Sequence, residues 1–216
     1  MKTCFLKFAE ESKYLSDFIE NGHIYINNVD YFRRHEENGH RYDRHELASS
    51  YHQHVGASIS IAGRKFNIAE PFSMRHGNVN FSHIYCLYTL SDESIQKTKN
   101  NQAFDNELWD NFGNHLVLIH NAEEFLNRLL STLKKRNFGY RADHVNYFCP
   151  KTYEGPVGAF KKRNIYEYQS EYRIAITAEI EGPIEDLYLG DLTDICAGPI
   201  YKSQSINNVV NDTVNL

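Results

Sequence analysis

The apolar positions at the start of the chain change period twice. Cys4 to Phe8 is a short β-favouring run, Leu15, Phe18 and Ile19 fall at helical spacing, and His23 to Asn27 alternates again. This spacing predicts strand, helix, strand. Ser12 is placed to cap the helix over Ser12 to Asn21, and Gly22 to end it. Asp30 to Glu37 reads as a short helix capped by Asp30 and stopped near Asn38-Gly39, and the polar residues 38 to 54 read as a loop or short helix.

Further along, Ala57 to Ala62 and Lys65 to Ile68 predict a hairpin across Gly63-Arg64, and Ser82 to Leu90, the longest apolar run, predicts a central strand. Asn121-Ala122-Glu123-Glu124 has the form of a capping box. Behind it Phe125, Leu126, Leu129, Leu130 and Leu133 make one stripe, and Lys134, Lys135 and Arg136 complement the helix end before Gly139. More strands are expected at Leu116 to Ile119, His144 to Phe148, Ser170 to Thr177 and Asp186 to Leu189. Many strands, few helices and no regular alternation between them predict an α+β fold, a single domain with mixed or antiparallel sheets and a few flanking helices. The domain is expected over residues 1–202, with a polar tail at 203–216.

A length of 216 residues fits one domain with a real core, and the net charge of -5 gives no electrostatic footprint for duplex nucleic acid. With no apolar run of about 18 residues and no signal-peptide core at Met1 to Lys7, the expectation is a cytoplasmic protein without a membrane partner. Cys4, Cys86, Cys149 and Cys196 are scattered, mostly within apolar stretches, and read as buried free thiols.

Most of the candidate chemistry lies in Tyr168-Gln169-Ser170-Glu171-Tyr172-Arg173-Ile174-Ala175-Ile176. On a strand, Gln169, Glu171 and Arg173 share one side while Ser170, Tyr172, Ile174 and Ile176 share the other. Charged groups in the middle of an apolar strand need partners, so the pattern suggests a site. Pairing of Glu171 with Arg173 on a solvated face accounts for it equally well. Phe160-Lys161-Lys162-Arg163, just upstream, is either a solvated turn or a phosphate-holding cluster.

Five of the 11 histidines, His35, His40, His45, His52 and His54, crowd residues 35 to 54. The first three step by five, which scatters them around a helix, and only His52 and His54 would share a strand face, so no metal is expected. Arg41 to Glu46 reads instead as a polar loop over a substrate, or as solvated surface. Rossmann and P-loop glycine patterns and the Gly-x-Ser-x-Gly elbow are absent from the sequence.

A Lys-Phe first strand, a helix ending in Asn-Gly, a strand leading to Tyr31-Phe32-Arg33 and a late Tyr-x-Gln-x-Glu-Tyr-Arg together resemble a group of uncharacterised bacterial proteins found near phage-defence genes. More distantly the pattern is similar to the ADP-ribosyltransferase superfamily, through Gln169 and Glu171. That resemblance implies an ADP-ribosyltransferase-like fold, with nicotinamide adenine dinucleotide (NAD) as substrate. It implies Glu171 and Gln169 as catalytic residues and Lys7, Tyr31, Arg33, Tyr85 and Arg173 as the NAD-binding set. Lys7 departs from the superfamily's Arg or His at the first-strand position, and no Ser-Thr-Ser strand is present. In this scheme Glu171 stabilises the oxocarbenium-like centre formed when nicotinamide leaves, and Gln169 orients the acceptor. Lys7 or Arg173 takes the pyrophosphate, and Tyr31 or Tyr85 stacks on nicotinamide or adenine. The implied activity is transfer to RNA or protein, or NAD hydrolysis, as a defence toxin with an antitoxin or other regulatory partner. Two rival readings are a metal-independent ribonuclease toxin using His45, His52 or His54 as base beside Arg33 or Arg41, and a non-catalytic sensor of a nucleotide or phage component.

Overall fold

The computed structural model describes residues 3–34, 43, 45–75, 81–97 and 103–203. At its centre is a six-stranded sheet built from β1 (Cys4–Ala9), β7 (His83–Leu90), β8 (His115–Ile119), β9 (Gly139–His144), β13 (Glu171–Thr177) and β15 (Cys196–Tyr201). The strand order is β15-β8-β1-β7-β13-β9, and every neighbouring pair is antiparallel. The fold is a mixed α+β domain, as the grouping of strands predicts.

Both faces of this sheet are covered, because consecutive residues on its strands point to opposite sides. Phe5, Leu87, Val117, Ile119, Ile174 and Ile176 pack against α1 (Ser12–Asn21) and α5 (Ala122–Lys135), through Leu15, Phe18 and Ile19 of the first and Phe125, Leu129 and Leu133 of the second. On the opposite face Cys4, Leu6, Tyr88, Leu90, Leu116 and Leu118 meet Leu108 and Trp109 of α4 (Glu107–Phe112), a helix without a predicted counterpart. The two stripes read from the sequence for α1 and α5 are therefore the ones that are buried. The cap of α5 is also as expected, since Asn121 Oδ1 accepts from the Glu124 N–H at 3.1 Å. That of α1 is not: Glu11 occupies the cap without a side-chain hydrogen bond, and Ser12 is already helical. Gly22 ends α1 at φ 62°, where any Cβ would lie 2.4 Å from Gly190 O.

Smaller pieces surround the main sheet. β2 (His23–Ile26) pairs with β14 (Ile184–Tyr188), and β4 (Ser58–Ile61) with β5 (Arg64–Asn67). α2 (Val29–Arg34) follows β2, and the remainder of the helix expected to Glu37 lies outside the described residues. The stretch expected to be a loop or short helix at 38 to 54 is, where described, a turn at His45–Leu47 that leads into β3 (Ser50–His52). β3 is the middle strand of a three-stranded sheet, between β6 (Phe72–Met74) and β11 (Gly155–Pro156). The run expected as one strand at His144 to Phe148 changes partner at Val145. Residues up to His144 pair with β13, whereas β10 (Asn146–Phe148) lies parallel to β12 (Lys161–Arg163). Among the described residues no helix is long and apolar enough to cross a membrane. The tail expected at 203–216 lies, from residue 204 on, outside the described residues.

Candidate functional site

β13 carries Arg173 into the interior, where a guanidinium has to satisfy all its donors or lose several kcal/mol. Arg173 is fully buried, and each of its nitrogens is engaged. Nε donates to Glu171 Oε1 at 2.7 Å, and Nη1 and Nη2 donate to the two carboxylate oxygens of Glu46 at 2.5 and 3.1 Å. Nη1 also reaches Ala159 O at 2.7 Å. Lys162, buried on β12, donates from Nζ to Gln169 Oε1 at 2.8 Å and to Glu171 Oε2 at 3.2 Å. Among the described residues, two cations and two carboxylates thus form an ion-pair network in which Glu171 is shared. Burial alone would raise the Glu171 pKa, but Arg173 and Lys162 overcome it and hold the carboxyl well below the usual carboxylate range. Burial likewise works against charge on Lys162, and the Glu171 and Glu46 carboxylates more than restore it. Glu171 is therefore ionised at neutral pH.

Gln169 reaches this network by another route than the expected strand. It ends a 3-10 helix over Asn164–Gln169, Ser170 turns the backbone at φ 36°, and β13 begins at Glu171. A non-glycine residue in the left-handed region is uncommon and costs of order 1 kcal/mol. Here it places Gln169 and Glu171 on the same lysine. The division of β13 into a charged face and a core face holds, with Tyr172, Ile174 and Ile176 packing toward α1 and α5.

Glu171 and Arg173 sit directly across from Tyr88 and Cys86 of β7. β7 is bonded to β1 over only three residue pairs, ending at Leu6 opposite Tyr88. Beyond that point the two strands form opposing walls of a cavity of about 620 Å³, with Lys162, Gln169, Glu171 and Arg173 also lining it. A volume of this order holds a drug-sized or dinucleotide ligand. Tyr14 and Tyr25, both exposed, and Phe32 supply an aromatic rim.

Of the lysines and arginines that line the cavity, Lys7 is the one without a counterion among the described residues. Its Nζ lies 4.9 Å from the centre of the Tyr85 ring and 5.7 Å from that of Phe18, and it makes no hydrogen bond or ion pair with a described residue. Burial lowers its pKa to about 8, partly offset by Cys86. Because the folded pKa is lower than the unfolded one, the unfolded chain binds this proton more tightly, and the charged lysine weakens the fold below about pH 8. Lys7→Met is therefore expected to raise stability at pH 7 by about 1 kcal/mol or more. It is also expected to remove the gain in stability that the wild type shows as pH climbs from about 8 to about 10. Thermal melts across that pH range check both.

Of the residues singled out from sequence, Glu171, Gln169, Lys7, Tyr85 and Arg173 all line this cavity. Tyr85 presents a buried hydroxyl without a hydrogen-bond partner among the described residues. Tyr31 sits on α2 with its ring edge-on to Phe32 at 5.6 Å, so it is the neighbouring Phe32 that lines the cavity. Arg33 falls on α2, but its side chain lies outside the described residues, as does Arg41. His45 is buried beside Tyr51 and hydrogen-bonds Ser73 Oγ at 2.9 Å, whereas His52 and His54 stand at the end of β3 near Glu154. None of these three lines the cavity. The basic run at 161–163 is neither a solvated turn nor a free phosphate cradle. Lys161 bonds Tyr153 Oη at 2.6 Å, Lys162 is in the network, and Arg163 pairs with Asp43 at 3.0 Å.

The cysteines require a correction, because Cys86 is exposed where it borders the cavity and Cys149 is half-buried. In an apolar run on a central strand all side chains look equally buried, and only the gap between β1 and β7 exposes this one. Removal from water and the Glu171 carboxylate push the thiol pKa well up, so Cys86 is a thiol and not a thiolate at neutral pH. Glu46, from the stretch read as a polar loop, and Lys162, from the basic run, also line the site. Compared with family models, curated proteins and solved structures, the chain shows no match.

Proposed function

We propose that the cavity binds NAD and that the protein cleaves its nicotinamide-ribose bond, passing ADP-ribose to a macromolecular acceptor, RNA or protein, or to water. The observation that carries this reading is a carboxylate held ionised at the wall of a cavity that also contains a lysine with no counterion among the described residues. Cleavage of that bond builds positive charge on the ribose as nicotinamide leaves with the bonding electron pair. A fixed negative group facing the ribose lowers that barrier without having to reorganise. Glu171 is such a group, since Arg173 and Lys162 keep it charged and fix its orientation. Lys7 supplies the positive charge that a pyrophosphate needs. Tyr14, Tyr25 and Phe32 offer ring faces for adenine or nicotinamide. Gln169, gripped through its oxygen by Lys162, is placed to orient the acceptor, whose oxygen or nitrogen bonds the anomeric carbon and releases its proton to water. The resemblance to defence-associated proteins and to ADP-ribosyltransferases points in the same direction and adds the role of a toxin.

A second reading is a sensor that binds a nucleotide without turnover. One observation favours it: both carboxylate oxygens of Glu171 already have partners. Incubation of the purified protein with NAD, with and without cell RNA or protein, separates the two. Release of nicotinamide, with label retained on one acceptor, supports the transferase. Saturable NAD binding with no release supports the sensor, and neither binding nor release removes both.

A further inference from the structure

We propose a second, independent site: His52, His54 and Glu154 bind a divalent transition-metal ion of the zinc class. One ligating atom from each of the three side chains lies within 4.8 Å of the others. The geometry is set by the backbone. His52 ends β3, and His54, two residues on, projects to the same side. Gln53, between them, points the other way and donates to Pro150 O and Tyr153 O at 2.7 and 2.8 Å. These two hydrogen bonds to the main chain pin the histidine pair to the segment that contains Glu154, just before Gly155 pairs with Tyr51 of β3.

The His52 ring is held on two sides, by the Ser50 hydroxyl at 2.7 Å from Nε2 and by the Phe72 ring stacked at 5.3 Å. Metal-binding imidazoles are commonly oriented by outer contacts of this kind. His54 lies stacked 5.6 Å from His52 and reaches Glu154 with its Nε2 3.3 Å from Oε1. With side chains 55% and 48% exposed, His54 and Glu154 are free to close around an ion and leave the remaining coordination positions to water. Two imidazoles and one carboxylate suit zinc, cobalt, nickel or copper, and discriminate against calcium and magnesium, which prefer oxygen alone. An ion here would tie β3 to the segment that leads into β11, and none of its three ligands lines the cavity.

Equilibrium dialysis against zinc chloride tests this, with cobalt chloride followed by its visible absorption as a second probe. His54→Gln and Glu154→Gln are the informative variants, because both side chains are at the surface and their loss leaves the core intact. The expected result is stoichiometric zinc binding by the wild type, weakened about 10-fold or more in each variant, with a zinc-dependent rise in melting temperature that both variants lose. Absence of stoichiometric binding to the wild type, or wild-type affinity in either variant, overturns the site.

Discussion

Glu171→Gln is expected to slow nicotinamide release from NAD ~100-fold or more while leaving NAD affinity within a few-fold of wild type. The substitution keeps the shape of the side chain and a hydrogen-bond acceptor for Arg173, but removes the negative charge that the proposed reaction sets against the ribose. It also leaves Arg173 and Lys162 with one carboxylate, Glu46, between them, and so costs about 3 kcal/mol of stability. The assay is therefore run below the variant's own melting temperature, with near-ultraviolet circular dichroism to show that it is folded. A folded Glu171→Gln protein that releases nicotinamide at the wild-type rate would end the transferase reading.

Arg173→Met is expected to be the most destabilising single change, by about 3–5 kcal/mol, because it takes from the buried carboxylates of Glu171 and Glu46 the guanidinium that both of them bind. Denaturant melts measure it. Combining it with Glu46→Gln removes one of the stranded charges, so the double variant should lose less than the sum of the two single changes. The same network sets the response to acid. With its folded pKa depressed, Glu171 adds stability that is fully present above the ordinary carboxylate pKa of about 4.3 and is lost as pH falls below it. In Arg173→Met the depression shrinks, so this contribution is reduced at every pH above that range and less of it remains to be lost in acid. Acid unfolding curves for the two proteins would show whether Glu171 is the group responsible.

The helices α1 and α5, most of the strands of the central sheet and the two-faced character of β13 are legible in the order of the residues alone. These follow from local rules: 3.6-residue and two-residue periods are written into consecutive residues, and so are a glycine that ends a helix and an asparagine that caps one. The sequence also marked Glu171 and Arg173, because a charged pair inside an apolar strand is anomalous in any fold. What it could not determine is who compensates those charges. Glu46 is 127 residues from Arg173, in a stretch that reads as a polar loop, and Lys162 belongs to a basic run that looks solvated. The reach of Lys7 into the cavity, the exposure of Cys86 and the meeting of His52, His54 and Glu154 were likewise decided only by the tertiary structure. Periodicity tells which side of an element is apolar, whereas the energy of a buried charge depends on the groups that several distant segments bring to within 3 Å of it, as Arg173 Nη1 and Glu46 Oε1 show at 2.5 Å.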